Sequence, residues 1–481
     1  MSYRIVTNIL GRILLIEGGL LLAPMAVAAL YGESLLPWLW TILLVLALGG
    51  ILVLFGRSRD DIRIREGFVS VALGWIIISL FGALPFVFSG AIPHYVDALF
   101  EIISGLTTTG ATVLSEVESL PRSILFWRSF SQWIGGMGVL VFMMAILPMD
   151  DEHSIHLLRA ETPGPVKGKL APRMRSSSRI LYLIYIVLTV VELVFLLCGG
   201  MPLFDSLCTA FATAGTGGFG IKNASIAAYD SVYFDVVIGM FMMLFGVNFN
   251  LYYLFLLKRS LKVFRNTELF WYLGIILFST VTIGLSISSQ YGGFFPALRY
   301  SFFQVSSVIS STGYATANFN LWPEYSRVLL VLLMVVGACA GSTGGGTKVA
   351  RLVIAVKSVY IELRRLLYPR AVNTATMDGV RLEERTIRNT LGYYILYALI
   401  AMVSFLLLSL ESYNLETTVT SVITCLSNIG PGLNLVGPMG NFGFWSAPSK
   451  LFLCFCMLLG RLEIFPMLIL FTPGVWSPRK K

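Results

Sequence analysis

Thr107-Thr108-Thr109-Gly110-Ala111-Thr112 is the first of four glycine-containing stretches in this chain. Each follows an apolar or hydroxyl-rich run of about 10–14 residues, a length typical of a re-entrant membrane segment and short for a full span. The stretches recur at intervals of roughly 100 residues, which predicts a fourfold internal repeat. We number them loops 1 to 4. Loops 2 to 4 are Gly215-Thr216-Gly217-Gly218-Phe219-Gly220, Ser311-Thr312-Gly313-Tyr314-Ala315-Thr316 and Asn428-Ile429-Gly430-Pro431-Gly432-Leu433.

The composition predicts a protein that is solvated mainly by lipid. Of the 481 residues, 56% are hydrophobic and 13% are charged, whereas about 25% of residues are charged in a soluble domain. The basic residues behind the net charge of +9 lie in short segments between apolar runs, so nucleic acid is not expected as a partner. The six cysteines show no CxxC spacing, which argues against a zinc site or a disulfide framework.

Ten segments are apolar enough and long enough to span a membrane, since a spanning helix needs about 20 residues. The basic segments 57–65, 167–179, 258–265 and 364–388 fall on one side. The positive-inside rule makes that side cytoplasmic and places both termini there. The ten predicted spans are 8–30, 36–55, 68–89, 124–148, 179–200, 232–257, 269–288, 327–358, 389–411 and 448–472.

The order of spans and loops predicts an all-α polytopic membrane protein. Four units of helix, re-entrant pore loop and helix surround a central pore, and two further transmembrane helices precede them. The predicted segments are the two N-terminal helices in 1–66, pore repeat 1 in 67–150, pore repeat 2 in 151–265, pore repeat 3 with an intramembrane gating loop in 266–360, and pore repeat 4 in 361–481.

The chemistry of the four loops favours a cation. Non-helical backbone at membrane depth leaves carbonyl groups unpaired, and these are tolerated only in buried protein or along a watery path. Glycine adopts backbone angles that turn a carbonyl inward, and rings of carbonyl oxygens replace the hydration shell of K⁺ in channel filters. The short helices before the loops would direct their partially negative C-terminal ends at the same centre.

The chain shows no nucleophile or paired-carboxylate constellation, so it is not expected to be an enzyme.

At these residues the sequence resembles the Trk/Ktr/HKT superfamily of potassium transporters, and within it the bacterial TrkH/TrkG potassium-uptake proteins. The resemblance covers nearly the whole chain. Two helices before the first repeat favour the TrkH/TrkG type over the shorter KtrB type. The features that carry the resemblance are Gly110, Gly217, Gly313 and Gly430, the glycine-rich stretch 337–348, and Gly460-Arg461.

The resemblance implies a K⁺ selectivity filter built from the four loops. An alignment on the glycines places Ile429 where the other loops have Thr109, Thr216 and Thr312. Because the loops differ, selectivity is expected to be looser than in a symmetric tetramer, and K⁺ together with Rb⁺ is the predicted substrate. The predicted filter residues, which would also hold the ion, are Thr108, Thr109, Gly110, Ala111, Thr216, Gly217, Gly218, Ser311, Thr312, Gly313, Tyr314, Asn428, Ile429, Gly430 and Pro431.

A gate is predicted in the last helix of repeat 3, where residues 337–347 contain five glycines. Each glycine costs up to about 1 kcal/mol relative to Ala in a helix, so the helix should open into a loop that obstructs the cavity below the filter. Arg461, about midway along the last helix, would bind this loop and repel cations; alternatively it pairs with Glu463 or snorkels. The predicted gate residues are Gly341, Ser342, Thr343, Gly344, Gly345, Gly346, Thr347, Lys348 and Arg461.

Other functions are less well supported by the sequence. Gly341–Lys348 almost matches a phosphate-binding P-loop, but Thr347 precedes the lysine and the context is a membrane helix, so no nucleotide or other cofactor is expected on this chain. His153 and His156 lie beside acidic residues, where a solvated polar segment is favoured over a metal site. A K⁺ symporter coupled to H⁺ or Na⁺ is left open, although four repeats that run the same way favour a pore over the inverted repeats of carriers.

The resemblance also implies partners and a location. It implies a homodimer in the bacterial inner membrane, bound on its cytoplasmic face to a nucleotide-binding regulator of the RCK type, TrkA. The basic segments 159–179 and 362–388 either offer such a regulator an electrostatic docking surface or only set the membrane topology.

Overall fold

A computed structural model describes residues 2–56, 64–138, 174–368 and 374–476. The histidine pair at 153 and 156 and most of the basic segment 159–179 lie outside these residues. The described chain is almost entirely helical. Its helices are α1 Tyr3–Leu20, α2 Leu22–Leu30, α3 Leu36–Phe55, α4 Ile64–Gly82, α5 Leu84–Phe88, α6 Tyr95–Leu106, α7 Arg122–Gly136, α8 Met174–Cys198, α9 Leu203–Ala214, α10 Val232–Phe245, α11 Phe249–Lys258, α12 Thr267–Ile287, α13 Phe294–Ile309, α14 Glu324–Val336, α15 Val349–Leu367, α16 Glu384–Ser409, α17 Leu415–Ser427, α18 Ala447–Arg461, α19 Phe465–Leu468 and α20 Pro473–Trp476.

Irregular connections hold smaller elements. A two-stranded antiparallel hairpin, β1 Thr376–Met377 and β2 Val380–Arg381, precedes α16. Short 3₁₀ turns lie at Ser225–Tyr229, Leu261–Phe264, Phe319–Leu321, Asn434–Val436 and Ile469–Phe471.

The helices follow the predicted repeat, which confirms the fold class. Each repeat has a long first helix, a short helix that ends at its loop, and a second helix after the loop. The first helices are α4, α8, α12 and α16, and the short helices are α6, α9, α13 and α17. Before them, α1 and α2 form one span at Tyr3–Leu30 and α3 forms another. The boundaries between the five predicted segments stay a prediction.

Six helices of the described chain are long and apolar enough to cross a membrane, and α10 with α11 makes a seventh span that is bent by 82°. The three other predicted spans, 124–148, 327–358 and 448–472, are all second helices of a repeat. In the first of these, helix α7 ends at Gly136, and the structure describes the chain only as far as Gly138. The second is interrupted between Val336 and Val349, as its glycines predict.

The predicted span 448–472 is wrong beyond Arg461. Helix α18 ends there, and Glu463 and Ile464 adopt positive φ of 55° and 67°. Backbone in that region does not continue a right-handed helix. Arg461 therefore lies at the end of a helix, not midway along one.

The N-terminal helices pack on the repeats through small residues. A methyl group built on Gly11 of α1 would lie 2.8 Å from the carbonyl oxygen of Gly49 in α3, so the two backbones are in close contact, as is usual for glycine at membrane helix interfaces. The outer side of α3 leaves large apolar side chains exposed, such as Trp40 and Leu54. Such a surface suits lipid, because transfer of apolar side chains from water to an apolar environment is favourable.

Candidate functional site

All four loops share one backbone signature, which fixes the register of the repeat. A residue with φ between 55° and 62° is followed, two positions later, by a glycine with φ between 72° and 93°. The first residues of these pairs are Thr108, Thr216, Ser311 and Asn428, and their glycines are Gly110, Gly218, Gly313 and Gly430.

This register corrects the predicted alignment of loop 2. The counterpart of Gly110 is Gly218, and Gly217 takes the position of Thr109. Loop 2 contains three glycines in the stretch 215–218, so residue type alone does not identify the one with positive φ. The position that Ile429 occupies in loop 4 is therefore held by Thr109, Gly217 and Thr312 in the other loops, not by Thr216.

The four loops form a closed circle. Each signature glycine packs so tightly on the next loop that a methyl group in its place would overlap or crowd a backbone carbonyl. At the closing contact, between loops 4 and 1, that distance would be 2.8 Å. The glycine–carbonyl pairs are Gly110 with Gly217, Gly218 with Thr312, Gly313 with Ile429, and Gly430 with Thr109.

A cavity of about 120 Å³ opens on one side of this circle. All four signature glycines line it, together with the residues that follow each loop. Two cationic side chains at its wall are paired: Arg128 with Glu101, and Lys222 with Glu118 at 3.4 Å. The Asn223 N–H and the Lys222 ammonium lower the pKa of Glu118, which keeps that carboxylate charged beside the cavity.

A buried ion pair supports loops 1 and 2 from behind. Arg128 Nε donates to Glu101 Oε1 at 2.8 Å, and its side chain is 2% exposed. Glu101 also accepts from Thr112 Oγ1 and from the Val113 N–H, at 2.9 and 3.0 Å. Arg128 Nη1 donates to the carbonyl of Gly220 at 3.1 Å. The pair thus joins the ends of two loops that come from different repeats.

Side chains brace the other loops in the same manner. Gln132 Oε1 accepts the N–H of Phe219 in loop 2 at 3.0 Å, and Ser307 Oγ donates to the carbonyl of Tyr314 in loop 3 at 2.7 Å. Asn428 Nδ2 donates to Thr109 Oγ1 at 3.0 Å and so links loops 4 and 1. Each loop backbone is therefore held in place by hydrogen bonds, as a preorganised site requires.

The 337–348 loop covers the side of the circle opposite the cavity. The N–H of Gly345 donates to Ser311 Oγ at 2.5 Å, and the N–H of Gly346 donates to the carbonyl of Ser427 at 2.9 Å. Gly344 packs against the carbonyl of Ser310, where a methyl group would lie 2.7 Å away. These partners end the short helices of repeats 3 and 4, so the loop lies directly under the circle.

Arg461 joins this loop to repeat 1. Its Nη1 donates to the Thr343 carbonyl at 2.9 Å and to Thr108 Oγ1 at 3.2 Å, and its Nη2 donates to the carbonyls of Gly135 and Gly136. The guanidinium therefore caps the C-terminus of α7, where a cation is favoured. Glu463, the partner in the alternative interpretation, forms an ion pair with Arg351 at 2.6 Å.

The second helices of repeats 2 and 3 are both interrupted below the circle, at the bend between α10 and α11 and at the 337–348 loop, and the two interruptions are in contact. The N–H of Cys339 donates to the carbonyl of Gly246, at the bend between α10 and α11, at 3.0 Å, and Thr343 Oγ1 donates to the carbonyl of Phe245 at 3.3 Å. Lys348 is 3% exposed and its Nζ donates to the carbonyl of Gly344. Polar contacts with the protein backbone thus hold the loop on this side as well.

Comparison with known proteins agrees with this arrangement. The family model for TrkH, described as a cation transport protein, matches residues 39–285 and 296–477. The chain belongs to the TrkH family of cation transport proteins. It is 38% identical to the Trk system potassium uptake protein TrkH of Salmonella typhimurium over 99% of this chain and 100% of that protein. It is 34% identical to TrkG of Escherichia coli over 98% of both chains.

A solved structure gives the same fold. The crystal structure of the potassium transporter TrkH from Vibrio parahaemolyticus superimposes with a TM-score of 0.89 at 33% identity, and the match covers 99% of this chain and 100% of that one. The family predicted from the loops and the 337–348 stretch is therefore confirmed. This TrkH-family chain is a multi-pass membrane protein.

The structure brings the predicted residues of this TrkH-family site together in two layers. The four loops form the circle, and the predicted gate residues, with Arg461, form the layer beneath it. Sequence reasoning missed Glu101, Arg128, Gln132 and Glu268, all of them buried. A usable signal existed for Glu101 and Arg128, because an ionisable residue in an apolar membrane segment is functional or paired by default.

Proposed function

We propose that this chain conducts K⁺, and Rb⁺ with it, across the bacterial inner membrane through a pore whose filter is the circle of loops 1 to 4. The closed circle carries the proposal, because its glycines bring backbone carbonyls from all four repeats around one centre. Carbonyl rings of this kind replace the hydration shell of K⁺. The relatives named above, which are potassium uptake proteins and a potassium transporter, support K⁺ as the ion.

The proposed filter keeps the predicted residues and changes one equivalence. Gly218, not Gly217, is the counterpart of the signature glycines in the other loops. The mixed set of side chains at the preceding position, with Ile429 in loop 4, supports a filter that admits Rb⁺ beside K⁺. The C-terminal ends of α6, α9, α13 and α17 add partial negative charge around the ion.

The 337–348 loop is the proposed gate. Its contacts with Ser311, Ser427 and, through Arg461, Thr108 support a gate that lies across the proposed route below the filter. The positive charges of Lys348 and Arg461 in the same layer oppose a cation electrostatically. An open state would require these hydrogen bonds to break or to exchange.

The proposal includes partners on the cytoplasmic face. We expect a homodimer regulated by a cytosolic nucleotide-binding protein of the TrkA type. Exposed basic side chains near the proposed cytoplasmic side suit an acidic partner. These include Lys258, Arg259, Lys262, Arg265, Arg364, Arg365, Arg381, Arg385 and Arg388.

Ion flux in liposomes tests the conduction itself. Purified protein in K⁺-loaded vesicles should take up radioactive Rb⁺, and external K⁺ should compete while Na⁺ competes less. Uptake no faster than in protein-free vesicles would refute conduction. The same measurement with and without an imposed H⁺ or Na⁺ gradient separates the two modes, because uptake that needs such a gradient would replace the pore by a coupled symporter.

A loop deletion tests the gate. Removing part of 341–346 should raise Rb⁺ uptake and make it less dependent on the regulator, because the deleted backbone no longer lies under the filter. Deletion of Ser289 and Gln290, which are exposed in the turn after α12, provides a control for chain shortening. Unchanged uptake with unchanged regulator dependence in the gate deletion would remove the loop from the gate.

A further inference from the structure

Glu268 is a buried acid that the conduction proposal does not use. It lies in the first turn of α12 and is 3% exposed. Its Oε1 accepts the N–H of Ala340 at 2.5 Å and the N–H of Ala350 at 3.1 Å. Ala340 precedes the glycine-rich part of the 337–348 loop and Ala350 follows it, so a single carboxylate oxygen holds both arms of the loop.

Thr267, the residue before Glu268 in α12, is hydrogen-bonded to the β1–β2 hairpin. Asp378, in the turn of that hairpin, accepts the N–H of Thr267 at 2.6 Å and Nδ2 of Asn266 at 2.7 Å. The Asp378 N–H in turn donates to Thr267 Oγ1 at 3.4 Å. Asn266 is the N-cap of α12, so Asp378 satisfies backbone and side-chain donors of the helix end that carries Glu268.

A second contact joins the hairpin to the loop directly. Met377 of β1 is 7% exposed and belongs to one apolar cluster with Ala340, Ala350 and Ile354. Lys357 Nζ of α15 donates to the carbonyl of Thr376 at 2.6 Å. The hairpin therefore shares an apolar cluster with residues on both sides of the loop through Met377, and it is bonded to the end of α12 that carries Glu268. In contrast, Val380 on β2 is 69% exposed, and Met377 is the one buried residue among the four strand residues of the hairpin.

We propose that the β1–β2 hairpin is a latch on the 337–348 loop and that Glu268 is its positioning residue. The hairpin holds the end of α12 and the apolar cluster, Glu268 holds both loop arms, and displacement of the hairpin frees the loop. The gating consequence of the latch rests on the proposed function, because it is the gate that the loop would release. The latch itself concerns only where the loop lies.

Cys339 offers a readout of loop position that does not depend on ion flux. It is adjacent to Ala340 and is 1% exposed, so a thiol reagent reaches it only when the loop opens. A variant with the other five cysteines changed to Ala, checked for monodisperse elution and Rb⁺ uptake, leaves it as the one reactive thiol. Its modification rate by aminoethyl methanethiosulfonate in nanodiscs is followed by intact-protein mass spectrometry.

Glu268→Ala should raise the Cys339 modification rate about tenfold, since a hydrogen bond is lost at both Ala340 and Ala350. Asp378→Ala should raise it by a smaller factor, and the double variant should fall short of the product of the two, because both act through the end of α12. Glu268→Gln, which keeps an acceptor oxygen, should lie between wild type and Glu268→Ala. Glu362→Ala removes an exposed acid paired with Arg365 and should change nothing.

The outcomes separate the latch from the gate. An unchanged Cys339 rate in Glu268→Ala would overturn the positioning role, and an Asp378→Ala rate equal to that of Glu362→Ala would overturn the latch. Rb⁺ uptake is measured on the same variants. If the Cys339 rate rises while uptake stays constant, the latch stands and the loop is not the gate.

Discussion

The Arg461 guanidinium donates a hydrogen bond to the backbone carbonyl of Thr343 at 2.9 Å. This contact joins the end of α18 to the middle of the 337–348 loop. A charge at membrane depth needs partners or water, and here backbone carbonyls of the loop and of α7 supply them. The loop in turn gains a fixed position under the four central loops.

Arg461→Ala should therefore raise Rb⁺ uptake and weaken its dependence on the regulator. Charge-assisted hydrogen bonds contribute about 1.5–3 kcal/mol each, so the loss of the bond to Thr343 corresponds to at least about a tenfold shift toward an open loop. The measurement is initial Rb⁺ uptake into liposomes at equal protein content. Arg461→Lys should give a partial effect, because one ammonium reaches fewer of the acceptors than a guanidinium does.

Arg327→Ala is the matched control, since Arg327 is partly exposed and pairs with Glu416 in the first turn of α17. Its uptake should equal that of the wild type. If Arg461→Ala also keeps wild-type uptake and regulator dependence, Arg461 only caps α7 and has no part in the gate.

The register of loop 2 predicts different results for two adjacent glycines. Gly218 has φ of 72°, and a methyl group there would overlap the carbonyl of Thr312 in loop 3. Gly217 lacks positive φ, and its methyl group would meet the side chain of Gln132, which can move. Gly218→Ala should thus abolish most Rb⁺ uptake or its preference over Na⁺, with an added backbone cost of about 1–2 kcal/mol.

Gly217→Ala should retain more uptake and more ion preference than Gly218→Ala. Competition of K⁺ and Na⁺ with Rb⁺ uptake in liposomes measures both. Gly32→Ala controls for the strain alone, because Gly32 also has positive φ but a methyl group there would meet open space. The reverse order of effects at the two positions would favour the alignment on Gly217.

Most of the fold could be predicted from the sequence because glycine and apolar patterns carry it. Runs of spanning length predict the helices, and the glycines of 337–347 predict the break between Val336 and Val349. Arg461 was predicted to bind that loop, which its hydrogen bond to Thr343 confirms. These features depend on local composition, which a single sequence displays.

Contacts between repeats could not be predicted in this way. The register of loop 2 depends on which of three glycines meets Thr312, a residue nearly a hundred positions away. The end of α18 is set by the positive φ of Glu463 and Ile464. Neither glutamate nor isoleucine is a residue type that predicts positive φ. Likewise, Glu268 has an ordinary place in a helix start, and only the folded chain brings Ala340 to it.

The Glu101–Arg128 pair provides the last prediction, because its burial distinguishes it from an ion pair of equal length elsewhere. Both pairs have an N–O distance of 2.8 Å, but Glu101 and Arg128 are 0% and 2% exposed, whereas Glu416 and Arg327 are 34% and 27% exposed. Removing one member of a buried pair leaves an uncompensated charge and costs about 3–5 kcal/mol, whereas an exposed pair contributes about 0–1 kcal/mol.

Glu101→Ala and Arg128→Ala should each lower the thermal unfolding midpoint in detergent strongly, and the double variant should be less destabilised than the sum of the two single variants. Glu416→Ala, Arg327→Ala and their double variant should shift the midpoint little. Since Glu101 also holds the Val113 N–H beside loop 1, the Rb⁺ over Na⁺ preference should fall in any Glu101→Ala protein that inserts into liposomes. Equal midpoint shifts for the two pairs, with unaltered ion preference, would reduce Glu101 and Arg128 to ordinary packing.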